Sequence, residues 1–447
     1  MSEPSILSSD SSQAVNSPLS KSRRLLIVGA VIVALVAVGA VVKTTGGVGG
    51  SRSGTIASNL GENSRLSAAG DHVCTIRADS TVWCWGYNGN GALGVSLIDR
   101  SVTPVQVPTS DLSDVRSLAA GTDHTCALLN DGHVKCWGAN DSGQSHPSED
   151  HQEFQTSPDF VTEVSGTGGA NVPLANVKAI AAGSGFTCAL HNNGRVSCWG
   201  DNVWGELGTG DFNPQSPMTI ATSVVDKFSA PIENVIAISA GGLSTCALMA
   251  DTSVMCWGFG DYGSLGNGKM QESSVAVFVH KSVTDDSNLV HVASLAVGGY
   301  HTCILDTSGR ASCWGKNFWG QLGNNPLAGT TAFSLKKAPV EVDSDEEFSN
   351  IATSSDTTCA ILKSTKAVQC WGMNFSGQVG DGTVINRQQP VNVSGDGNYN
   401  VELALAQAFS CSLASNEAIR CWGNNSEGQL GNGTTNDRNT AGFVIFP

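Results

Sequence analysis

Basic residues are scarce in this chain. Lys and Arg total 24 against 39 Asp and Glu in 447 residues, a net charge of −15, so no diffuse positive field exists to hold nucleic acid and no nucleic-acid partner is expected. Charged residues of both signs reach only 14%, against roughly 25% in an average soluble domain. The common catalytic signatures G-x-S-x-G, H-E-x-x-H and the P-loop are missing, which removes the usual hydrolase, metalloprotease and nucleotide-binding motifs. No C-x-x-C occurs, which excludes a zinc ribbon. What abounds is Gly, 52 residues, a density suited to tight turns and not to an all-helical protein.

One long apolar run is present. Leu25 to Val42 reads LLIVGAVIVALVAVGAVV, 18 residues, just enough to span a bilayer core as a helix. Lys21, Arg23 and Arg24 precede it and only Lys43 follows at once, which predicts a cytoplasmic N-terminus and a chain that continues outside. A cleaved signal peptide is the competing reading, with Val38, Gly39 and Ala40 as small residues at the cleavage site; the length of the run and of the polar segment ahead of it favours an anchor. The expected organisation is a polar cytoplasmic tail (1–24), a transmembrane anchor (25–42), a flexible Gly/Ser-rich linker (43–62) and a repeat domain (63–447).

That domain is one motif written seven times. The tripeptide CWG occurs at Cys84, Cys136, Cys198, Cys256, Cys313, Cys370 and Cys421, each preceded by a second cysteine at Cys74, Cys126, Cys188, Cys246, Cys303, Cys359 and Cys411, ten residues earlier in six copies and eleven in the sixth. All fourteen cysteines are thereby paired, and the first cysteines recur every 52 to 62 residues. In the second copy, HTCALL and HVKCWG flank NDG, a hairpin with Asn130 to Gly132 as its loop. VRSLAA upstream supplies a further strand, and TPVQV, APVEV, QPVNV and the terminal AGFVIFP mark a fourth. Four antiparallel strands per unit, seven units and no helices between them predict an all-β, seven-bladed propeller of four-stranded blades, preceded by one N-terminal transmembrane helix. Ring closure is expected from the terminal strand Gly442 to Phe446 adding to the blade of the first copy, near Leu66 to Trp85.

The order of an IAAG-type strand, HTCAL, DGxVxCWG, NxxGQLGxG and PVxV, as in AAGTDHTCALLNDGHVKCWG, GGYHTCILDTSGRASCWGKNFWGQLGNN and CWGNNSEGQLGNG, resembles the repeat of the regulator of chromosome condensation family over residues 63–447. The resemblance implies a seven-bladed propeller. It also implies a binding protein, since members include nuclear nucleotide-exchange factors for a small GTPase and exported bacterial propellers. The membrane segment, the acidic balance and the lack of a basic N-terminal arm set this chain apart from the nuclear type and nearer the exported bacterial type.

Alternate residues of a strand face opposite sides of the sheet, so each CWG Trp points away from the face its Cys uses. A ring of Trp is expected to fill the space between blades. Two readings of the cysteine pairs compete: small buried hydrophobes, or a cross-strand disulfide in every blade, which directly opposed residues allow. Export favours the disulfides. His72, His124 and His301 precede the first cysteine of copies one, two and five and are spread around the ring, which argues against a metal cluster. The segment 144–172 carries His146, Glu149, Asp150, His151 and Glu153 and reads as a solvated loop, as does the run Asp343, Asp345, Glu346 and Glu347.

Function is sought where the constant unit varies. Just before the Gly of the GQLG loop the copies carry Asn90, Ser142, Trp204, Tyr262, Trp319, Ser376 and Glu427, three consecutive copies being aromatic. Trp204, Tyr262 and Trp319, with Phe318 and Phe375 adjacent in register, are expected to form an arc on one rim, either exposed for recognition or folded down between blades. The leading reading is a membrane-tethered, extracytoplasmic module that binds another protein or a cell-surface polymer, with no catalysis and no cofactor or metal. A GTPase exchange factor-like regulator and a glycan hydrolase are the alternatives; the hydrolase needs two carboxylates facing across a pocket.

Overall fold

The computed structural model describes residues 64–96, 98–108, 110, 112–145, 154–165, 170–212, 218–324 and 335–447. The expected cytoplasmic tail, transmembrane anchor (25–42) and linker, and the cluster His146, Glu149, Asp150, His151 and Glu153, lie outside the described residues. Among the described residues no helix is long and apolar enough to cross a membrane.

Each repeat pairs its own four strands in chain order. Blade 1 runs Leu66–Ala69, His72–Ile76, Val82–Tyr87 and Arg100–Gln106, and blades 2 to 7 repeat the order over 115–160, 177–223, 235–278, 292–341, 348–392 and 400–443. The first strands touch one another in an unbroken circle and so line the axis. Among the described residues the single helical element is a 3-10 turn at Asp261–Gly263. Part of the segment read as an insertion loop is ordered sheet: Phe154–Phe160 is the fourth strand of blade 2, and Thr162–Ser165 pairs with Ala170–Pro173 in a two-stranded ribbon. Lack of the PVxV pattern hid that strand.

Second and third strands are joined in every blade by a disulfide between directly opposed residues, from Cys74–Cys84 to Cys411–Cys421, with Cα atoms 4.0–4.1 Å apart. Such close approach belongs to the narrow site of an antiparallel ladder. The Gly of CWG follows from the same crowding: at Gly86, with φ +100, a Cβ would lie 2.2 Å from the Asp71 carbonyl oxygen.

Seven small cores sit between blades, and each contains the disulfide of one blade and the CWG Trp of the next. Cys74 and Cys84 meet Trp137, Cys126 and Cys136 meet Trp199, and so on around to Cys411 and Cys421, which meet Trp85. All seven Trp are buried, and every indole N–H donates to a backbone carbonyl of the preceding blade at 2.8–3.0 Å: Ala92, Gln144, Glu206, Ser264, Gln321, Gln378 and, for Trp85, Gln429. The three histidines are also inter-blade parts. His72, His124 and His301 bond through Nε2 to Thr125, Thr187 and Thr358 of the following blade at 2.8–2.9 Å. Burial pushes them down, to about 4 for His72 and about 3 for the other two.

The ring closes differently from the sequence expectation. Arg438–Phe443 is the fourth strand of blade 7, paired to Ile419–Gly423, and among the described residues no strand crosses to blade 1. Blade 1 takes its fourth strand, Arg100–Gln106, from its own repeat, so the place a closing strand would fill is occupied. The junction instead uses Glu402, whose buried carboxylate accepts from Ser64 Oγ and the amides of Arg65 and Leu66, and Phe446, packed edge-on to Trp83 and Trp85 under Arg77. Deleting residues 444–447, which removes Val444 and Phe446 from this seam, should lower stability by about 2–4 kcal/mol in urea unfolding. Ile445→Ser, at a 54% exposed residue, should leave the midpoint in place.

Candidate functional site

One face of the ring carries the turns between first and second strands together with the long loops that follow CWG. Those loops share a skeleton. The Asn after CWG turns its Oδ1 inward to the amide five residues on, as Asn202 does to Leu207 and Asn317 to Leu322 at 3.1 Å. The GQLG-type side chain then accepts the amide of the variable residue: Gln144 from Ser142, Glu206 from Trp204, Gln321 from Trp319, Gln378 from Ser376 and Gln429 from Glu427, all at 2.7–2.9 Å. Packing therefore fixes where each variable side chain starts and leaves its identity free.

Blade 4 breaks the pattern. Gly260 replaces the Asn, and a Cβ there would lie 1.8 Å from the Gln271 carbonyl oxygen, so no Asn fits. The loop tightens into the 3-10 turn and Tyr262 takes φ +64. None of the other six variable residues has a positive φ. A bulky residue in the left-handed region is strained. Ring contacts hold it: Tyr262 lies 6.2 Å from Phe259, 5.5 Å from Tyr300 and 5.8 Å from Phe318 between centroids.

These contacts join five rings on blades 3 to 5, and a further pair stands on blades 5 and 6. Trp204 of blade 3 packs on Phe259 of blade 4 at 5.4 Å, Phe259 on Tyr300 of blade 5 at 5.8 Å, and Trp319 of blade 5 on Phe375 of blade 6 at 5.0 Å. Trp204 and Phe375 are 38% and 58% exposed, while Tyr262, Tyr300, Phe318 and Trp319 are half-buried. Of the two dispositions open in the sequence, the rings are neither wholly folded between blades nor isolated. They brace one another, and all but the buried Phe259 remain at the surface. Beneath them Lys316 faces the rings of Tyr300 and Phe318 and pairs with the buried Asp356 at 2.9 Å. Burial, then Tyr262 and Asp356, push the Tyr300 phenol up to about 12, so it stays neutral.

Sequence reading named Trp204, Tyr262, Trp319, Phe318 and Phe375 and missed Phe259 and Tyr300. The same rule would have found them, because they occupy places where other copies carry Tyr87, Ala139, Asp201, Lys316, Met373 and Asn424, or Asp71, Asp123, Gly185, Leu243, Asp356 and Ala408.

Two cavities are lined by none of these rings. One of about 430 Å³ is lined by Arg310, Glu341, Asp343 and Asp345, and its three carboxylates are exposed, whereas a glycosidic acid needs an apolar surround. Another, about 400 Å³, lies beside Phe228, Phe278 and His280. No group of three or more metal-ligating side chains occurs among the described residues.

Known proteins supply context for this geometry. The Regulator of chromosome condensation (RCC1) repeat matches the chain in two forms, over 115–144, 177–205 and 292–321 and over 79–128, 193–248 and 251–305. The chain is 27% identical over 376 residues to the ultraviolet-B receptor UVR8 of Arabidopsis thaliana, covering 84% of this chain and 80% of the receptor. It is 26% identical over 317 residues to the E3 ubiquitin-protein ligase HERC2 of Homo sapiens, covering 70% of this chain but 6% of the ligase. The solved structure of human WBSCR16 superposes with a TM-score of 0.68 at 17% identity, covering 82% of this chain and 95% of the other. Prp20p of Saccharomyces cerevisiae gives 0.66 at 20% identity, covering 85% and 87%. Identities this low establish the shared fold alone.

Glu206 offers a test of how the loops are held. It stands where four blades have Gln; its Oε1 has no hydrogen-bond partner, and burial, then Asp201, push its carboxyl up to about 8. A folded-state value above the unfolded one gives stability that is full at low pH and is lost as pH rises through 8. Glu206→Gln should therefore raise the melting temperature at pH 8.5 and change it little at pH 4.5, read by calorimetry.

Proposed function

The chain belongs to the regulator of chromosome condensation repeat family, and from that premise we propose that it is a non-catalytic module that binds another protein on the aromatic arc of its loop face. The observation that carries this reading is the set of seven rings on blades 3 to 6, a braced group of five and an adjoining pair, with Tyr262 held against backbone preference inside the five. Exposed aromatic clusters of this kind anchor protein interfaces. A flat sugar platform fits less well, because the rings meet edge to face, at interplanar angles of 55° to 87°, and turn edges as well as faces outward.

Relatives support the protein side of the reading. The structure of Prp20p is described with its binding to Gsp1p and histones, and yeast RCC1 (Prp20) is seen bound by Kap60; those are partners of that protein. HERC2 is a ubiquitin ligase of which this chain spans 6%.

The reading includes a location. Leu25–Val42 anchors the chain and the propeller lies outside the cytoplasm, a placement supported by the basic flank of that run and by seven disulfides with no free cysteine, which persist in oxidising compartments.

A photocrosslinking residue at Phe375 should form an adduct with a protein. The same crosslinker in the variant Trp204→Ala/Trp319→Ala, with an unchanged melting temperature, should lose about nine-tenths of that adduct, in keeping with truncated aromatic anchors. Undiminished adduct formation would end the reading, and ring-dependent signal on a glycan array would move it to a polymer ligand. For the location, thiol labelling of the native protein should find none of the fourteen cysteines reactive, and an impermeant amine label applied to intact cells should reach the propeller.

A further inference from the structure

The loop face has a second half. Opposite the aromatic arc, on blades 7, 1, 2 and 3, stand Glu427, Asp71, Asp123, Asp141 and Asp201. They are near enough to act on one another: Glu427 and Asp123 bear on Asp71, and Asp141 bears on both Asp123 and Asp201. Burial first, then these like charges, raise the carboxyls of Asp71, Asp123 and Asp201. Among the described residues no Lys or Arg forms an ion pair with Asp71, Asp123, Asp141 or Asp201; Glu427 alone has Arg100, at 3.5 Å and exposed.

The fold does not require this concentration. Gly185, Leu243 and Ala408 stand in the place of Asp71 and Asp123 on other blades with the same strand pairing. Where the face does meet an internal cation, at Asp356, Lys316 answers it at 2.9 Å. Where the acidic half meets the aromatic half, Glu206 is fully buried with Oε1 unpartnered, in the loop that carries Asp201 on one side and Trp204 on the other. Its Gln counterparts on blades 5 and 7 send the same arm to the Asp of the next blade, Asp356 and Asp71. At blade 4 that place is Leu243, and the arm ends without an answer.

We propose that the partner seated on the aromatic arc is a basic polypeptide, whose Lys or Arg side chains run along Asp71, Asp123, Asp141 and Asp201 while an apolar or aromatic side chain beside them packs on Trp204, Phe259 and Tyr262. The proposal rests on the protein-binding reading of the arc and adds the sign of the ligand. Charge complementarity selects it: carboxylates without a basic ion-pair partner attract a cationic chain and repel an acidic one, and the adjoining rings supply the desolvated anchor.

The test uses the full disulfide-bonded chain and three fluorescent 15-residue peptides: six Lys/Arg around a central Trp, the same with Ala for Trp, and the first with every Lys/Arg replaced by Glu. The first should bind and weaken about tenfold between 50 and 300 mM salt; the second should bind more weakly and the third should not bind. Asp123→Asn/Asp141→Asn/Asp201→Asn, which keeps one acceptor oxygen at each position, should lower affinity for the first peptide about tenfold and flatten its salt dependence. Trp204→Ala should lower affinity without flattening it. Equal binding of the acidic peptide, or an unchanged affinity in the triple amide variant, overturns the proposal, and if Trp204→Ala still lowers capture then the aromatic reading stands without it. Insensitivity of every peptide to Trp204→Ala removes both.

Discussion

One hydrogen bond repeated seven times sets the geometry of this molecule. Each CWG indole reaches back to a carbonyl of the blade before it, and the ring lies on that blade's disulfide. A buried indole N–H without a partner costs about 1–3 kcal/mol, so blades set at another spacing are penalised at every junction. The accepting carbonyl belongs to the GQLG loop, whose second Gly abuts the same indole: a Cβ on Gly431 would lie 2.8 Å from Trp85 Nε1. Blade spacing and loop position are thus one constraint. The surface loops that vary most in sequence are held by the residues that vary least.

The same interaction explains how a ring of consecutive blades closes without exchanging a strand. Blade 7 offers blade 1 the carbonyl of Gln429, as any blade offers its successor, and Phe446 and Glu402 seal the first and last segments against each other. Glu402 is a costly seal. Burial pushes its carboxyl up to about 7 despite three donors, and removing it would leave the Arg65 and Leu66 amides unanswered inside the seam.

Blade number, strand order, cysteine pairing and the burial of the Trp ring were legible because they repeat, and repetition turns a weak local pattern into a strong one. The closing strand was misjudged because AGFVIFP reads as the fourth strand of its own repeat and as a closing strand of the first, and only the pairing of Arg438–Phe443 with Ile419–Gly423 separates the two. Phe154–Phe160 escaped notice because FQTSPDF lacks the PVxV pattern and buries only Pro158. At the site, Trp204, Tyr262 and Trp319 stood out by type, whereas Phe259 lies three residues ahead of the position searched and Tyr300 in the turn between the first and second strands. The acidic half was invisible for another reason: Asp71, Asp123, Asp141 and Asp201 are scattered over 131 positions, and only the turns of the ring bring them together.

Tyr262 shows what such a scaffold permits. The left-handed backbone costs roughly 1–2 kcal/mol for a residue with a side chain, and each edge-on ring contact returns about 0.5–1.5 kcal/mol; Tyr262 makes two, with Tyr300 and Phe318, and a tilted third with Phe259. The strain is therefore offset inside the arc itself, and Phe259, Tyr300 and Phe318 hold the phenol in one position before anything arrives. A surface ordered in advance loses little side-chain freedom on docking. Relaxing that backbone by returning Asn to position 260 is closed off by the Gln271 carbonyl. The departure of blade 4 from the repeat is thus a linked set: Gly260 for Asn, a tighter turn, and a tyrosine raised among rings that its neighbours on blades 3, 5 and 6 continue.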